Sequence, residues 1–237
     1  MAESHGRRQG LLARLKEVFS SPSMLRSMTV DMNDGVVATA GLLEGFSQAG
    51  ATQSTLLTAA IIATLAGGMS LGGNRYAELA AERDAQLRVV REEALELAED
   101  PEEELAELTS FYVRKGLSPG LAAQVARQLM EHDPLAAQME TEHHLPNVVT
   151  RSGALTQGAD AALAFLVGSF LPLLISAFIP GRFDWAVTLI VVAASLALTS
   201  VLLARANHSP VWRTVLRTVS VGLFSLLVSF LAGSLLV

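Results

Sequence analysis

The chain has 237 residues, of which 51% are hydrophobic and 17% charged, with a formal net charge of −6 and a mean hydropathy of +0.41. This composition is typical of a membrane protein with few domains, and its acidity argues against nucleic acid as a partner. Cysteine is absent, which excludes disulfides and thiolate ligands. Any metal must therefore be held by carboxylate, carbonyl, imidazole or thioether groups, which favour cations such as Fe²⁺ or Mn²⁺.

The first 27 residues contain apolar side chains at helical spacing, with Arg14 and Lys16 between them. The apolar residues are Leu11, Leu12, Leu15, Val18 and Phe19. This pattern predicts a short cytosolic amphipathic helix lying on the membrane surface. A helix packed on a soluble part of the protein would show the same pattern.

Five apolar stretches are long enough to cross a bilayer, which needs about 20 residues of helix. They cover residues 28–49, 54–73, 154–179, 185–204 and 211–237. We expect one membrane region to contain spans 1 and 2 (28–75) and another to contain spans 3 to 5 (148–237). Between them lies an acidic, helix-forming segment, 76–147, that is predicted to be a soluble insert.

The distribution of Lys and Arg predicts the orientation, because cytosolic loops retain positive charge. With the N-terminus and the insert in the cytosol, 16 of the 17 basic residues lie on the cytosolic side, and Arg182 is the exception. Five spans then place the C-terminus outside. The opposite topology would place almost every positive charge on the wrong side.

Within span 1, the segment 32–45 (MNDGVVATAGLLEG) places two carboxylates, Asp34 and Glu44, in otherwise apolar helix. Each costs about 2.5 to 3.5 kcal/mol on insertion scales, so such residues usually have a function. Ten residues of helix separate them by about 15 Å and about a quarter turn, as expected for successive depths of one pathway. Alternatively, Asp34 caps the start of the helix and Glu44 lies near the outer interface.

Span 2 ends in four glycines that would allow close helix approach: Gly67, Gly68, Gly72 and Gly73. Met69 lies among them. Its thioether is a possible soft ligand for Fe²⁺, although a lone Met in an apolar helix usually serves packing.

Residues 76–145 of the insert hold 16 of the 23 carboxylates and six basic residues. No helix breaker occurs before Asp100-Pro101, so span 2 is expected to continue to about Glu99. Asp and Ser followed by Pro predict the starts of three further helices. These helices are expected to cover residues 101–115, 119–132 and 134–144.

Residues of the insert that could bind a metal recur three apart, so that each pair shares a helix face. The pairs are Glu93 with Glu96, Glu104 with Glu107, and Met139 with Glu142. Helical bundles chelate di-metal centres with such carboxylates. Glu-rich surface helices show the same periodicity without a metal. His143 and His144 could add imidazole ligands, or could be surface residues at a helix end.

Four features together resemble the vacuolar iron transporter family, from about residue 28 to the C-terminus. They are Asn33-Asp34-Gly35, the glycine-rich segment 67–73 around Met69, the acidic insert, and the segment 168–173 with sequence GSFLPL. The resemblance implies a homodimer of five-span protomers. It also implies that the protein moves Fe²⁺, often also Mn²⁺, out of the cytosol in exchange for protons, with the metal as substrate and no prosthetic group.

The resemblance also assigns residues. Asp34 and Met69 would handle metal in the membrane near the dimer interface. The ligands of the cytosolic domain would be Glu93, Glu96, Glu104, Glu107, Met139 and Glu142. The chain departs from the plant members at Ile61, where they carry Glu, and at Gln138, where a methionine would be expected. We hypothesise that Glu44 takes over part of the role of the missing Glu.

The sequence therefore predicts an all-α membrane protein with five transmembrane helices and a helical cytosolic metal-binding domain between spans 2 and 3. The predicted function is export of divalent metal by proton antiport, and the protein is not expected to be an enzyme. Compact loops favour a bacterial plasma membrane, with a vacuolar membrane as the alternative. Two other functions fit the pattern: a membrane-anchored iron buffer or sensor, and a ferroxidase-like di-iron protein.

Overall fold

The computed structural model describes residues 21–178, 185–206 and 208–235, and in these ranges every regular element is an α-helix. The helices are α1 Pro22–Gln48, α2 Gln53–Glu99, α3 Pro101–Arg114, α4 Pro119–His132, α5 Pro134–Thr141, α6 Arg151–Phe178, α7 Trp185–Ala206 and α8 Val211–Leu235. The all-helical prediction is confirmed for this part of the chain. Residues 11–19, on which the predicted N-terminal amphipathic helix depends, and the turn with Arg182 lie outside the described residues, whereas residues 22–27 form the start of α1.

The chain divides into two compact units. One, here called the apolar unit, combines residues up to Arg75 with residues from Gln157 onward. The other, here called the acidic unit, covers Tyr76–Thr156.

Four helices are long and apolar enough to cross a membrane: α2, α6, α7 and α8. They correspond to the predicted spans 2 to 5. Helix α1 is also long, with 27 residues, but it is not among the four helices found in the described ranges. It carries three carboxylates, Asp31, Asp34 and Glu44, which lower its hydropathy.

Glycines allow three helices of the apolar unit to pack at backbone distance. A Cβ atom on Gly168 of α6 would lie 1.9 Å from the carbonyl oxygen of Met32 on α1. On α2, a Cβ on Gly72 would lie 2.6 Å from the carbonyl oxygen of Gly158 on α6. The prediction that the span-2 glycines allow close approach is confirmed at Gly67, Gly68 and Gly72, whereas nothing lies within 4 Å of a Cβ on Gly73.

Most predicted helix boundaries in the acidic unit are confirmed. Helix α2 continues to Glu99. The side chain of Asp100 then caps α3 by accepting a hydrogen bond from the backbone N–H of Glu103 at 3.1 Å. The predicted end of the last helix at about residue 144 is wrong, since α5 ends at Thr141. His144 adopts a left-handed conformation with φ of 55°, and the N–H of Leu145 closes the helix on the carbonyl of Met139 at 2.8 Å.

The start of α1 also differs from the prediction. The helix begins at Pro22, six residues before the predicted residue 28, because Ser21 acts as the N-cap and Pro22 occupies the first turn. Asp34 therefore lies well inside α1. The alternative that Asp34 caps this helix is wrong.

Candidate metal centre

Two groups of three side chains in the acidic unit could each hold a metal ion. Among the described Asp, Glu and His residues, these are the groups whose ligand atoms all lie within 4.8 Å of one another. The first, here called the carboxylate group, consists of Glu104, Glu107 and Glu142. The second, here called the mixed group, consists of Glu93, Glu142 and His143. Glu142 belongs to both.

Three segments distant in sequence supply these ligands. Glu93 lies on α2, and Glu104 and Glu107 lie one turn apart on α3, so they share a face. Glu142 and His143 follow directly after α5. Helix α3 packs on both α4 and α5 around a small core formed by Leu108, Ala126 and Ala137. This core fixes the end of α5 relative to α3.

Glu93 is the most deeply buried ligand, with only 1% of its surface exposed. Its Oε2 lies 2.8 Å from Nε2 of His143. Its Oε1 is also buried and has no hydrogen-bond partner among the described residues. A buried carboxylate oxygen without a partner is costly and uncommon in folded proteins. A cation at this position would supply the missing partner.

The charges around Glu104 repel one another. Burial, followed by the negative charge of Glu93, raises the pKa of Glu104 to about 7, against the opposing effect of a hydrogen bond from Gln138. Burial also raises the pKa of Glu107, and the neighbouring charge of Glu142 adds to this effect. Protons relieve this repulsion at low pH, and a divalent cation could do so at neutral pH.

Gln138 replaces the methionine that the family resemblance leads one to expect. The side chain is buried, and its Nε2 donates to the backbone carbonyl of Glu104 at 2.9 Å and to the Glu104 carboxylate. Gln138 therefore positions Glu104 through hydrogen bonds.

The remaining predicted ligands of the acidic unit have different surroundings. Glu96 is exposed and belongs to neither group, although its charge contributes to the raised pKa of Glu107. Met139 is buried in the unit. Glu107 and Glu142 line an open cleft of about 800 Å³, which gives solvent ions access to the carboxylate group.

In the apolar unit, the predicted pathway residues fall into two environments. Asp34 on α1 is exposed, and Met69 on α2 is 77% exposed in the single chain. Glu44 is fully buried and accepts a hydrogen bond from Nε2 of Gln48 at 2.8 Å. Glu44 therefore points into the protomer rather than to the exposed surface.

Sequence reasoning missed Asp31 in the same helix. Asp31 is 5% exposed and hydrogen-bonds to Ser27, which also accepts a hydrogen bond from Arg75 at 3.2 Å. Asp31 precedes Asp34 by one turn. This spacing on one helix face was the signal that could have identified it.

The helices and carboxylates define an integral membrane protein with a helical acidic unit suited to binding cations. The model of the VIT family matches residues 25–234. The chain therefore belongs to the VIT family, and the predicted family membership is confirmed.

Named relatives agree with this family. The chain is 30% identical over 167 residues to "Vacuolar iron transporter" of Acanthamoeba castellanii, and the match covers 70% of this chain and 60% of the relative. It is 29% identical over 176 residues to "Vacuolar iron transporter 1" of Arabidopsis thaliana, which covers 73% and 70%. The chain thus spans less than two thirds of the length of the amoebal relative.

Proposed function

We propose that this protein exports divalent metal, Fe²⁺ and also Mn²⁺, from the cytosol in exchange for protons. The observation that carries the proposal is that two groups of possible metal ligands share Glu142. The relatives of this chain are named iron transporters. Oxygen and nitrogen ligands of this kind suit Fe²⁺ and Mn²⁺.

The proposed topology has five spans, with α1 as the first. Helix α1 is long enough to cross a bilayer. Its carboxylates are tolerable in a membrane when they face protein or a pathway rather than lipid. The buried Asp31 and Glu44 meet this condition within the protomer. The acidic unit is then cytosolic, in agreement with the distribution of Lys and Arg.

The proposed assembly is a homodimer. Helix α2 exposes a row of apolar residues one turn apart, namely Ile61, Leu65 and Met69. Asp34 on α1 is exposed as well. A second protomer packed on α1 and α2 would cover these residues and enclose Asp34 and Met69 in a pathway between the two chains.

Transport begins with capture of the metal in the acidic unit, whose negative charge concentrates divalent cations. Glu107 and Glu142 offer the first ligands, since both line the open cleft. The ion then passes to Asp34 and Met69 in the membrane. Protons entering from the outer side compete for the carboxylates and release the metal, and this competition couples the two fluxes.

Glu44 is proposed to carry part of the proton or metal flux in place of the glutamate that plant members have at the position of Ile61. A fully buried carboxylate in an apolar helix supports such a role. The test is Glu44→Gln, which keeps the shape and the neighbouring Gln48 contact but removes the charge. We expect slower transport, and undiminished transport would refute the idea.

The decisive experiment reconstitutes the full chain in liposomes that contain an Fe²⁺ or Mn²⁺ indicator, under an imposed pH gradient. We expect gradient-driven metal uptake by inside-out protein. Asp34→Asn should abolish uptake, and Glu131→Gln, which changes an exposed carboxylate outside both ligand groups, should not affect it. Metal binding without flux would instead indicate a membrane-anchored buffer. Oxygen-dependent formation of Fe³⁺ would indicate a ferroxidase.

A further inference from the structure

We propose that His143 is a metal ligand, and that its imidazole makes the mixed group prefer Fe²⁺ and similar transition-metal ions to Mg²⁺ and Ca²⁺. The inference rests on the proposed function, since it concerns how the acidic unit selects its metal.

The imidazole of His143 lies close to the carboxylates of Glu93 and Glu142. Nε2 of His143 lies 2.8 Å from Oε2 of Glu93, and one ligand atom from each of Glu93, Glu142 and His143 lies within 4.8 Å of the other two. Three ligand atoms at such distances can surround one cation at bond lengths of about 2.0 to 2.2 Å after small side-chain rotations.

The buried Oε1 of Glu93 is the second observation that indicates a ligand. Glu93 is 1% exposed, and its Oε1 has no hydrogen-bond partner in the described part of the chain. The hydrogen bond to His143 therefore satisfies only half of this carboxylate. A bound cation would satisfy the rest, because it could be chelated by Glu93 and ligated by His143 at once.

The carboxylate group and the mixed group differ in their ligand atoms, and this difference predicts which metal ions each prefers. The carboxylate group offers oxygen ligands alone, which bind Mg²⁺, Ca²⁺ and Mn²⁺ readily. Imidazole adds affinity for Fe²⁺, Co²⁺ and Zn²⁺ and little for Mg²⁺ or Ca²⁺. Abundant Mg²⁺ would therefore compete poorly at the mixed group.

A structural role for His143 gives a different expectation. If its imidazole only orients Glu93 by the hydrogen bond, removing it would weaken binding of every cation, and no nitrogen would touch the metal. The test must therefore detect the nitrogen itself.

The experiment uses the full chain, purified without a histidine tag and loaded with Mn²⁺, and examined by electron spin echo envelope modulation. We expect ¹⁴N modulation from a bound imidazole in the wild type. It should disappear in His143→Asn and persist in His144→Asn. The latter is a matched control, because His144 is exposed and its left-handed backbone tolerates Asn.

Binding measurements complete the test. His143→Asn should weaken Co²⁺ binding at least as strongly as loss of an outer-shell partner does, by about 10-fold or more, and leave Mg²⁺ binding unchanged. His143→Glu, which supplies an oxygen ligand, should restore Mn²⁺ binding without ¹⁴N modulation and thereby show that the altered site still folds.

Wild-type protein saturated with Mn²⁺ at both groups that shows no ¹⁴N modulation, or modulation that persists in His143→Asn, would overturn this inference and leave the proposed transport untouched. Equal loss of Co²⁺ and Mg²⁺ binding would also overturn it, in favour of the orienting role. A wild-type protein that binds no metal would refute both this inference and the loading step of the proposed function.

Discussion

Replacement of Glu104 by Gln should stabilise the metal-free protein in a way that depends on pH. Glu104 is 7% exposed. Its pKa is raised from 4.5 to about 7 by burial and then by the charge of Glu93. The folded state thus binds the Glu104 proton more tightly than the unfolded state does. Stability therefore falls as pH rises from about 4.5 to about 7 and then levels off.

The size of this effect on stability follows from the upward shift of the Glu104 pKa. At 1.36 kcal/mol for each pKa unit, ionisation of Glu104 costs about 3 kcal/mol of folding free energy above pH 7. Glu104→Gln removes the charge and keeps the shape. The variant should therefore gain little over the wild type at about pH 4.5 and up to about 3 kcal/mol above pH 7.

The assay is thermal unfolding of the full chain in detergent with a chelator, at a series of pH values from 4.5 to 8. Glu131→Gln is the control, because it removes an exposed charge outside both ligand groups, and its difference from the wild type should not change across this range. With saturating Mn²⁺ the order should reverse, because the metal stabilises the wild type through the Glu104 carboxylate.

Two results would refute this reasoning. A stability difference between Glu104→Gln and wild type that stays constant with pH would show that burial and Glu93 do not raise the pKa of this carboxyl. Unchanged Mn²⁺ affinity in Glu104→Gln would show that Glu104 is not a ligand of the carboxylate group.

Further predictions concern the other contacts of the site and the helix packing. Glu142 belongs to both ligand groups, so Glu142→Gln should lower the number of Mn²⁺ ions bound at each group in equilibrium dialysis. Loss of Mn²⁺ from one group alone would contradict this prediction. Gln138→Met removes a donor that lowers the pKa of Glu104, so the pH midpoint of Mn²⁺ binding should move upward, and an unchanged midpoint would contradict the role of this hydrogen bond. Gly168→Ala places a Cβ 1.9 Å from a backbone oxygen and should destabilise the protein by about 1 to 3 kcal/mol in thermal unfolding. Gly41→Ala, whose new Cβ would meet a rotatable hydroxyl at 2.8 Å, should cost clearly less, and equal losses would argue against the backbone clash.

Local signals in the sequence predicted most of the helices, because caps and breakers act over a few residues. Asp100-Pro101 fixed the junction between α2 and α3 by a hydrogen bond that depends only on neighbouring residues. The early start of α1 was missed although Ser21-Pro22 is the same kind of signal. The apolar stretch of the predicted span begins only at residue 28, and hydropathy does not indicate how far a helix continues on either side of an apolar stretch.

The ligand groups were only partly predictable, because they depend on contacts between distant segments. Spacing placed Glu104 and Glu107 on one face, which the structure shows, since a three-residue separation is a local property of a helix. It could not show that Glu93 meets His143, which is 50 residues away. The predicted pair of Glu93 and Glu96 treats both residues as equally good metal ligands. In the structure, however, Glu93 is buried and Glu96 is exposed.

The shared ligand suggests how an ion could move through the acidic unit without being released. We expect an ion that leaves Glu104 and Glu107 for Glu93 and His143 to keep Glu142 as a ligand throughout, because Glu142 belongs to both groups. Each step then exchanges some ligands rather than all, which keeps the barrier low. The carboxylate group borders the open cleft through Glu107 and Glu142, whereas Glu93 is buried, so we expect an ion from solvent to meet the carboxylate group first. Binding at each group must also stay weak enough for onward transfer, as conduction through any multi-site pathway requires.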